Sequence, residues 1–181
     1  MPYDGHPDRT ALRTASLGPM SKARRATPAD ANELVRLRGV MFEGLVAGEP
    51  ANNGWRETSC QRLQSWLGAA NLTFAAFVVD RDDRAGELAA CALGSTEYRL
   101  GNPGNITGDV GYIFSVATDP DQRRRGYSRQ CVTALLDWYR DRGIRAVDLR
   151  ASPEGEPLYR SLGFTRTPDP AMRLHLDLTD A

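Results

Sequence analysis

The stretch Val116-Ala117-Thr118-Asp119-Pro120-Asp121-Gln122-Arg123-Arg124-Arg125-Gly126-Tyr127-Ser128 decides how the rest of this sequence is interpreted. Its pattern predicts a β-strand, then a tight basic turn, then the start of an amphipathic helix. A helix N-terminus carries unpaired N–H groups and a partial positive charge, and arginine supplies planar donors that match phosphate oxygens. Gly126 lets the backbone bend and allows a ligand to approach closely. The turn is therefore predicted to bind a pyrophosphate.

The flanking sequence predicts a mixed α/β domain with the element order β-α-α-β-β-β-α-β-α-β-β. Residues 1–19 are polar and aperiodic and are predicted to form a flexible tail, which leaves 20–181 as a single domain. The predicted strands are 21–26, 72–79, 87–98, 110–118, 146–151, 164–166 and 172–178. The predicted helices begin at 27, 58, 127 and 157, and the one at 127 carries an apolar stripe that includes Val132, Leu135 and Tyr139.

Composition favours a globular protein with one local basic site. The chain has 181 residues, 41% of them hydrophobic, and a net charge of zero. Its arginines cluster at 123, 124, 125 and 129, which fits an anionic ligand at one site better than a nucleic acid along a face. No phosphate-binding G-x-x-x-x-G-K-[ST] loop or dinucleotide-binding G-x-G-x-x-G turn occurs, which argues against a nucleotide enzyme.

Cysteine usage and hydropathy favour a cytoplasmic protein. Cys60, Cys91 and Cys131 form no metal-binding or disulfide spacing and are expected to be free thiols. No apolar run approaches the length of a membrane span, and the N-terminus carries no hydrophobic signal region. We therefore expect no metal, no membrane partner and no nucleic-acid partner.

Two motifs resemble those of the GNAT superfamily of acetyl-CoA-dependent N-acyltransferases. The turn is similar to motif A, Q/R-x-x-G-x-G/A, with Arg123 first, Gly126 central and Ser128 in place of the last small residue. The segment 158–164 contains the Leu-Tyr-x-x-x-Gly-Phe core of motif B unchanged. The order of elements matches the family over about 21–178. The resemblance implies the GNAT fold, a central mixed sheet flanked by helices, and acetyl transfer from acetyl-CoA to a primary amine.

The resemblance also implies residues that bind acetyl-CoA. Backbone N–H groups of about Arg124 to Ser128 would hold the pyrophosphate, and Arg123, Arg125 or Arg129 would meet the 3′-phosphate. Backbone groups of Val116 and Thr118 would pair with the pantetheine amides, and an N–H near Val116 would polarise the thioester carbonyl. The full set implied is Val116, Ala117, Thr118, Arg123, Arg124, Arg125, Gly126, Tyr127, Ser128, Arg129, Ser152 and Tyr159.

Catalytic roles follow from the same resemblance. Tyr159 would donate a proton to the departing thiolate, the alternative being a tyrosine packed against the sheet with its hydroxyl bonded locally. Glu97 would accept the proton of the amine directly or through water, with Asp109 and Glu43 as competitors.

The acceptor is left open by the sequence. Its walls are expected from the loops 44–55 and 100–108, with Trp55, Trp66, Tyr98 and Tyr112 either lining the pocket or packing in the core. A small-molecule or peptide amine fits equally well, and a homodimer is an open possibility. A non-catalytic acyl-CoA-binding sensor with the same fold is the alternative function.

Overall fold

The computed structural model describes residues 23–43, 53–68, 73–174 and 176. Within them lies one five-stranded sheet with neighbours in the order β1-β2-β3-β4-β5. The strands are Arg24–Arg25 (β1), Phe74–Asp80 (β2), Leu88–Tyr98 (β3), Asp109–Thr118 (β4) and Ala146–Leu149 (β5). The helices are Ala31–Glu43 (α1), Trp55–Gly68 (α2), Tyr127–Arg140 (α3) and Glu156–Ser161 (α4). The mixed α/β class is confirmed; the predicted tail at 1–19 lies outside the described residues.

The sheet changes from antiparallel to parallel at the strand that carries the basic turn. Strands β1 to β4 pair antiparallel with their neighbours, whereas β5 runs parallel to β4. A parallel pair needs a long crossover connection, and α3 supplies it. The basic turn therefore lies at the carboxyl end of β4, where the crossover begins.

Helices cover both faces of the sheet. On one face α1 and α2 pack through residues such as Leu34, Leu37 and Leu63. On the other face α3 and α4 pack through the predicted stripe, with Val132, Leu135 and Tyr139 fully buried. Each element thus buries its apolar side in one of two hydrophobic clusters.

The sequence predicted two closing strands, at 164–166 and 172–178, and this prediction was wrong for those of their residues that the structure describes. Positions 164–166 and 172–174 form no strand, and 175, 177 and 178 lie outside the described residues. Met172, Leu174 and Leu176 alternate as a half-buried strand would, yet they are 87%, 80% and 74% exposed. Alternation predicts a strand only where a neighbouring strand offers hydrogen-bond partners and a core to cover, and this segment meets neither condition in the described structure.

A buried ion network fixes the end of β4. The carboxylate of Asp119, 6% exposed, accepts hydrogen bonds from Arg36 on α1 (2.6 and 3.0 Å) and from Arg81 on the β2–β3 connection (2.9 Å). The Arg81 side chain is 1% exposed and also donates to Asp83 and Asp121, at 2.8 and 2.5 Å. The network ties α1 and the β2–β3 connection to Asp119, the first residue after β4.

We expect Asp119→Asn to destabilise the protein by about 3–5 kcal/mol, because it leaves two guanidinium groups without their shared buried carboxylate. The control is Asp137→Asn, which removes an exposed ion pair with Arg140 on α3 and is expected to cost about 1 kcal/mol or less. Urea unfolding of both variants checks this. Equal losses in the two variants would contradict the assigned role of the network.

Candidate functional site

Strands β4 and β5 separate part-way along their length. They pair from Val110↔Ala146 to Ile113↔Leu149, but β4 continues to Thr118. On its other edge, β4 bulges: Leu93 pairs with Phe114 and Cys91 with Ala117, so that two residues of β4 oppose one of β3. The residues at 115–118 therefore present a strand edge that β5 does not cover.

The bulge is centred on Ser115. This buried residue has a φ of 49°, a left-handed conformation that is strained for a residue with a side chain. The next residues, Val116, Ala117 and Thr118, lie on the uncovered edge, as the resemblance predicts. Backbone amides on such an edge are free to pair with an extended ligand.

The basic turn leaves backbone donors for a ligand. Arg124 and Gly126 have φ values of 64° and 79°, and a Cβ added at Gly126 would meet nothing within 4 Å. Glycine is thus required there by the backbone conformation, and the space beside it is open. Among the described residues, none accepts a hydrogen bond from the N–H groups of Arg124, Arg125 or Gly126. These donors, at the start of a 14-residue helix, fit a pyrophosphate.

The four clustered arginines divide into two pairs. Arg123 donates to the Thr118 carbonyl oxygen at 3.4 Å, and Arg129 donates to Ser161 Oγ at 2.7 Å. Arg124 and Arg125 are exposed, and their guanidinium groups make no ion pair within the described ranges. Three side chains, those of Arg123, Arg125 and Arg129, are expected at the 3′-phosphate. Of these, only Arg125 makes no hydrogen bond or ion pair to another described residue.

Two hydroxyl groups join the first turn of α3 to the end of β4. Thr118 Oγ1 and Ser128 Oγ are hydrogen-bonded to each other. Tyr127, the first residue of α3, is partly buried against the cluster on the α3 face. Ser128, the departure from motif A, is thus part of a contact that holds the turn in place.

Tyr159 lies on α4 with its ring buried and its hydroxyl unbonded. The residue is 9% exposed and packs edge-on against Phe164, with ring centroids 5.9 Å apart. Burial raises the pKa of Tyr159 to about 12. Its hydroxyl has no hydrogen-bond partner in the described structure, so the alternative of a locally bonded hydroxyl is not what is observed. The group is available to donate to a ligand.

Local bonds set the start of α4. Ser152 Oγ accepts from the Gly155 N–H at 3.2 Å, and the Ser152 carbonyl oxygen accepts from the Glu156 N–H at 3.0 Å. Arg166 and Arg160 bind the Glu156 carboxylate and lower its pKa to about 2. Ser152 therefore shapes the turn that presents Tyr159, while its contact with the ligand stays a prediction.

Glu97 is distant from the uncovered edge. It lies four residues along β3 from Leu93, the partner of Phe114 at the bulge, which is about 13 Å in an extended strand. Its carboxylate accepts from Arg99 at 2.5 Å, and Arg99 reaches Asp148 on β5 at 3.3 Å. Its competitors lie at the start of β4 (Asp109) and at the last residue of α1 (Glu43). The role of Glu97 as base stays a prediction and requires bridging water.

A row of aromatic rings crosses the α1/α2 face of the sheet. Trp66, Phe74, Phe114 and Tyr112 follow one another with centroid separations of 4.9, 6.3 and 6.4 Å. The sequence predicted its two ends, Trp66 and Tyr112, but missed the two phenylalanines between them. Tyr98 is 69% exposed at the end of β3, and Trp55 packs instead against Phe42.

The sequence reasoning also missed Arg38. This residue of α1 donates from Nη1 to the Ser115 hydroxyl at the bulge, and its guanidinium lies 4.8 Å from the centroid of the Phe42 ring. Its spacing was the available signal, because Arg38 falls at i+4 from buried Leu34 and three before Met41, on the apolar stripe. A charged residue on an apolar stripe indicates a polar site inside the fold.

No group of three or more His, Cys, Asp or Glu side chains that could hold a metal ion occurs among the described residues. None of the helices that the structure describes is long and apolar enough to cross a membrane.

The chain is similar in sequence to acetyltransferases. The family model described as acetyltransferase (GNAT) family matches residues 41–164. The mycothiol acetyltransferase of Rhodococcus jostii (strain RHA1) is 30% identical over 142 residues, which is 76% of this chain and 43% of that protein. The corresponding protein of Rhodococcus opacus (strain B4) is 29% identical over 142 residues, with the same coverage of 76% and 43%. The chain thus spans less than half the length of these relatives.

Solved acetyltransferase structures share the fold. A predicted acetyltransferase from Clostridium acetobutylicum, crystallised with acetyl-CoA, superimposes with a TM-score of 0.69 at 25% identity, over 86% of this chain and 95% of that one. A GCN5-related N-acetyltransferase from Ralstonia eutropha JMP134 superimposes with a TM-score of 0.71 at 20% identity, over 84% and 97% of the two chains. The second likeness bears on the fold alone.

We expect Arg124→Glu/Arg125→Glu to weaken acetyl-CoA binding by at least about 100-fold, because each change replaces a donor near the phosphates with a repelling charge. The matched control is Arg145→Glu, an exposed arginine at the far end of the α3 crossover. Calorimetric titration checks both, and unchanged affinity in the double variant would refute the turn as the phosphate site.

Proposed function

Because the chain belongs to the GNAT family of acetyltransferases, we propose that it transfers the acetyl group of acetyl-CoA to a primary amine by direct attack of that amine on the thioester. The observation that carries this proposal is the convergence of two motifs on one face of the sheet. Val116, Tyr127 and Tyr159 share one hydrophobic cluster, and the Arg129–Ser161 hydrogen bond links α3 to α4. One extended ligand can therefore reach the basic turn, the β4 edge and Tyr159.

Each part of the donor has a matching part of the site. The unbonded N–H groups of Arg124 to Gly126, followed by those of Tyr127 and Ser128, would hold the pyrophosphate. The uncovered β4 edge at 116–118 would pair with the pantetheine amides as an additional strand does. This arrangement brings the thioester to the bulge, beside the N–H of Val116.

The chemical step forms one bond and breaks another. The amine nitrogen attacks the acetyl carbonyl carbon, and the Val116 N–H stabilises the negative charge that develops on the carbonyl oxygen. As the C–S bond breaks, Tyr159 donates its proton to the sulfur, and the amine loses a proton through water to Glu97. The products are the acetamide and free coenzyme A.

The state of two thiols supports direct attack over an acetyl-cysteine intermediate. Cys91 and Cys131 are buried, and burial raises the pKa of Cys91 to about 12 and that of Cys131 well above its ordinary value. Neither thiol is a reactive thiolate at neutral pH. Cys91 and Cys131 are therefore unsuited to carry an acetyl-cysteine intermediate.

The identity of the acceptor amine does not follow from the family. The two Rhodococcus relatives carry the name mycothiol acetyltransferase, but the chain spans only 43% of their length. We therefore propose a small-molecule or peptide amine, bound on the α1/α2 face beside the aromatic row.

The function is tested by a thiol-release screen with acetyl-CoA against amino acids, peptides, aminoglycosides and polyamines, with mass spectrometry of the product. We expect stoichiometric release of coenzyme A with at least one amine class. Acetyl-CoA binding without release against the whole panel would overturn the transfer reaction in favour of an acyl-CoA sensor.

We expect Tyr159→Phe to lower kcat by about 100-fold or more while acetyl-CoA affinity changes little, since the ring remains and only the proton donor is lost. Because the pKa of Tyr159 is raised to about 12, the donor stays protonated, and the wild-type rate should show no alkaline loss from this group below about pH 11. Steady-state kinetics across pH check both statements.

The control is Tyr98→Phe, which removes an exposed hydroxyl at the end of β3. Equal rates in wild type and Tyr159→Phe, or a kcat that falls in parallel with acetyl-CoA affinity, would contradict the assignment of Tyr159 as the acid.

A further inference from the structure

Arg38 brings a positive charge to the bulge of β4. Its Nη1 donates to the hydroxyl of Ser115, the residue directly before Val116. The guanidinium also lies over the Phe42 ring, at 4.8 Å from its centroid. The charge is therefore held, by one hydrogen bond and one aromatic contact, about one residue from the N–H proposed to bind the thioester carbonyl.

Arg38 differs from the other arginines that the fold encloses. Arg24, Arg36 and Arg81 each bind at least two carboxylates at 3.0 Å or less. Arg38 is also half-buried, yet no carboxylate among residues 23–43, 53–68, 73–174 and 176 bonds to it. Burial lowers the pKa of Arg38, and no carboxylate acts against that effect.

Apart from the bond of Nη1 to Ser115, the Arg38 guanidinium makes no hydrogen bond within the described residues, and its remaining nitrogens are open to solvent, so they are available to an anionic ligand. Arginine has five N–H donors in a fixed fork, which matches two oxygens of one carboxylate. The position faces the α1/α2 side of the sheet, where the acceptor is proposed to bind. The Arg38 guanidinium could therefore bind a carboxylate of the acceptor that lies close to the reacting amine.

We propose that Arg38 binds a carboxylate of the acceptor, so that the preferred acceptor is an amine carrying a carboxylate within a few bonds of its nitrogen, as a free amino acid does. This inference rests on the proposed transfer reaction and names its substrate class. Arg38 is a specificity-determining residue in this scheme, while Tyr159 and the β4 edge serve every amine alike.

The test compares a panel of free amino acids with their carboxamides, using acetyl-CoA and thiol release. Each pair differs in the charge of one group and in the basicity of the neighbouring amine, and the ratio between wild type and variant cancels this second difference. We expect Arg38→Met to lower kcat/KM for the acids by about 10- to 100-fold and for the amides by less than about 3-fold. Arg38→Lys should restore part of the preference, because it keeps the charge but not the fork.

The matched control is Arg56→Met. Arg56 also lies over an aromatic ring, 4.7 Å from the centroid of Trp55, but it is exposed. This variant should keep the preference of wild type for acids. Loss of the preference in both variants would overturn the proposal, as would a wild type that does not prefer acids.

Two further measurements distinguish a failure of the proposed carboxylate site from a failure of the proposed transfer reaction. In one series, succinyl-CoA replaces acetyl-CoA as the acyl donor. A selective loss of succinyl transfer in Arg38→Met would overturn the proposal, because it would show that Arg38 binds the carboxylate of the acyl group and not that of the acceptor. Calorimetric binding of each acid and amide in the presence of coenzyme A forms the other series. If no amine is acetylated, the proposed transfer reaction is refuted. Binding of the acids that depends on Arg38 would still support the carboxylate site in that case. Acid binding that does not depend on Arg38 would refute the carboxylate site.

Discussion

The buried carboxylate of Asp119 is the interaction on which the site depends. It accepts hydrogen bonds from Arg36 of α1 and Arg81 of the β2–β3 connection, and it directly follows Thr118, the last residue of β4. A buried ion pair adds little net stability by itself, but it tolerates few alternative geometries. The direction in which the chain leaves β4 is thereby fixed before the basic turn begins, and the turn can remain exposed and glycine-containing without losing its position.

The second constraint is the bulge at Ser115. An extra residue in β4 bends the strand away from β5, and the parallel pairing stops at Ile113 and Leu149. The strained residue, the uncovered edge and the Arg38 guanidinium all meet there. In the proposed reaction, this single irregularity in β4 would provide the binding groove for acetyl-CoA on one side and a charged position for the acceptor on the other.

Local patterns predicted what depends on local chemistry. The turn at 123–126, the stripe of α3 and the Leu-Tyr-x-x-x-Gly-Phe segment carry their own spacing, and the elements formed close to the predicted bounds. The bulge, the Asp119 network and the aromatic row each depend on contacts between residues far apart in the chain, such as Cys91 with Ser115, Arg36 with Asp119 and Phe74 with Phe114, which no window of sequence reveals. The failed strand at 172–174 has the same cause, because its alternation was correct but its partner was not there.

The arginines of this fold differ in whether they bind carboxylates of the protein, and this difference distinguishes arginines with a structural role from those proposed to bind a ligand. A net charge of zero conceals the difference, since Arg36 and Arg81 are neutralised within the fold whereas Arg124, Arg125 and Arg38 are not. A protein gains nothing in stability from an uncompensated cation, least of all a half-buried one. Arg38 and the pair Arg124 and Arg125, which have no carboxylate partner among the described residues, lie beside the two ends of the uncovered β4 edge. They mark where the donor phosphates and the acceptor anion would complete the charge balance of the fold.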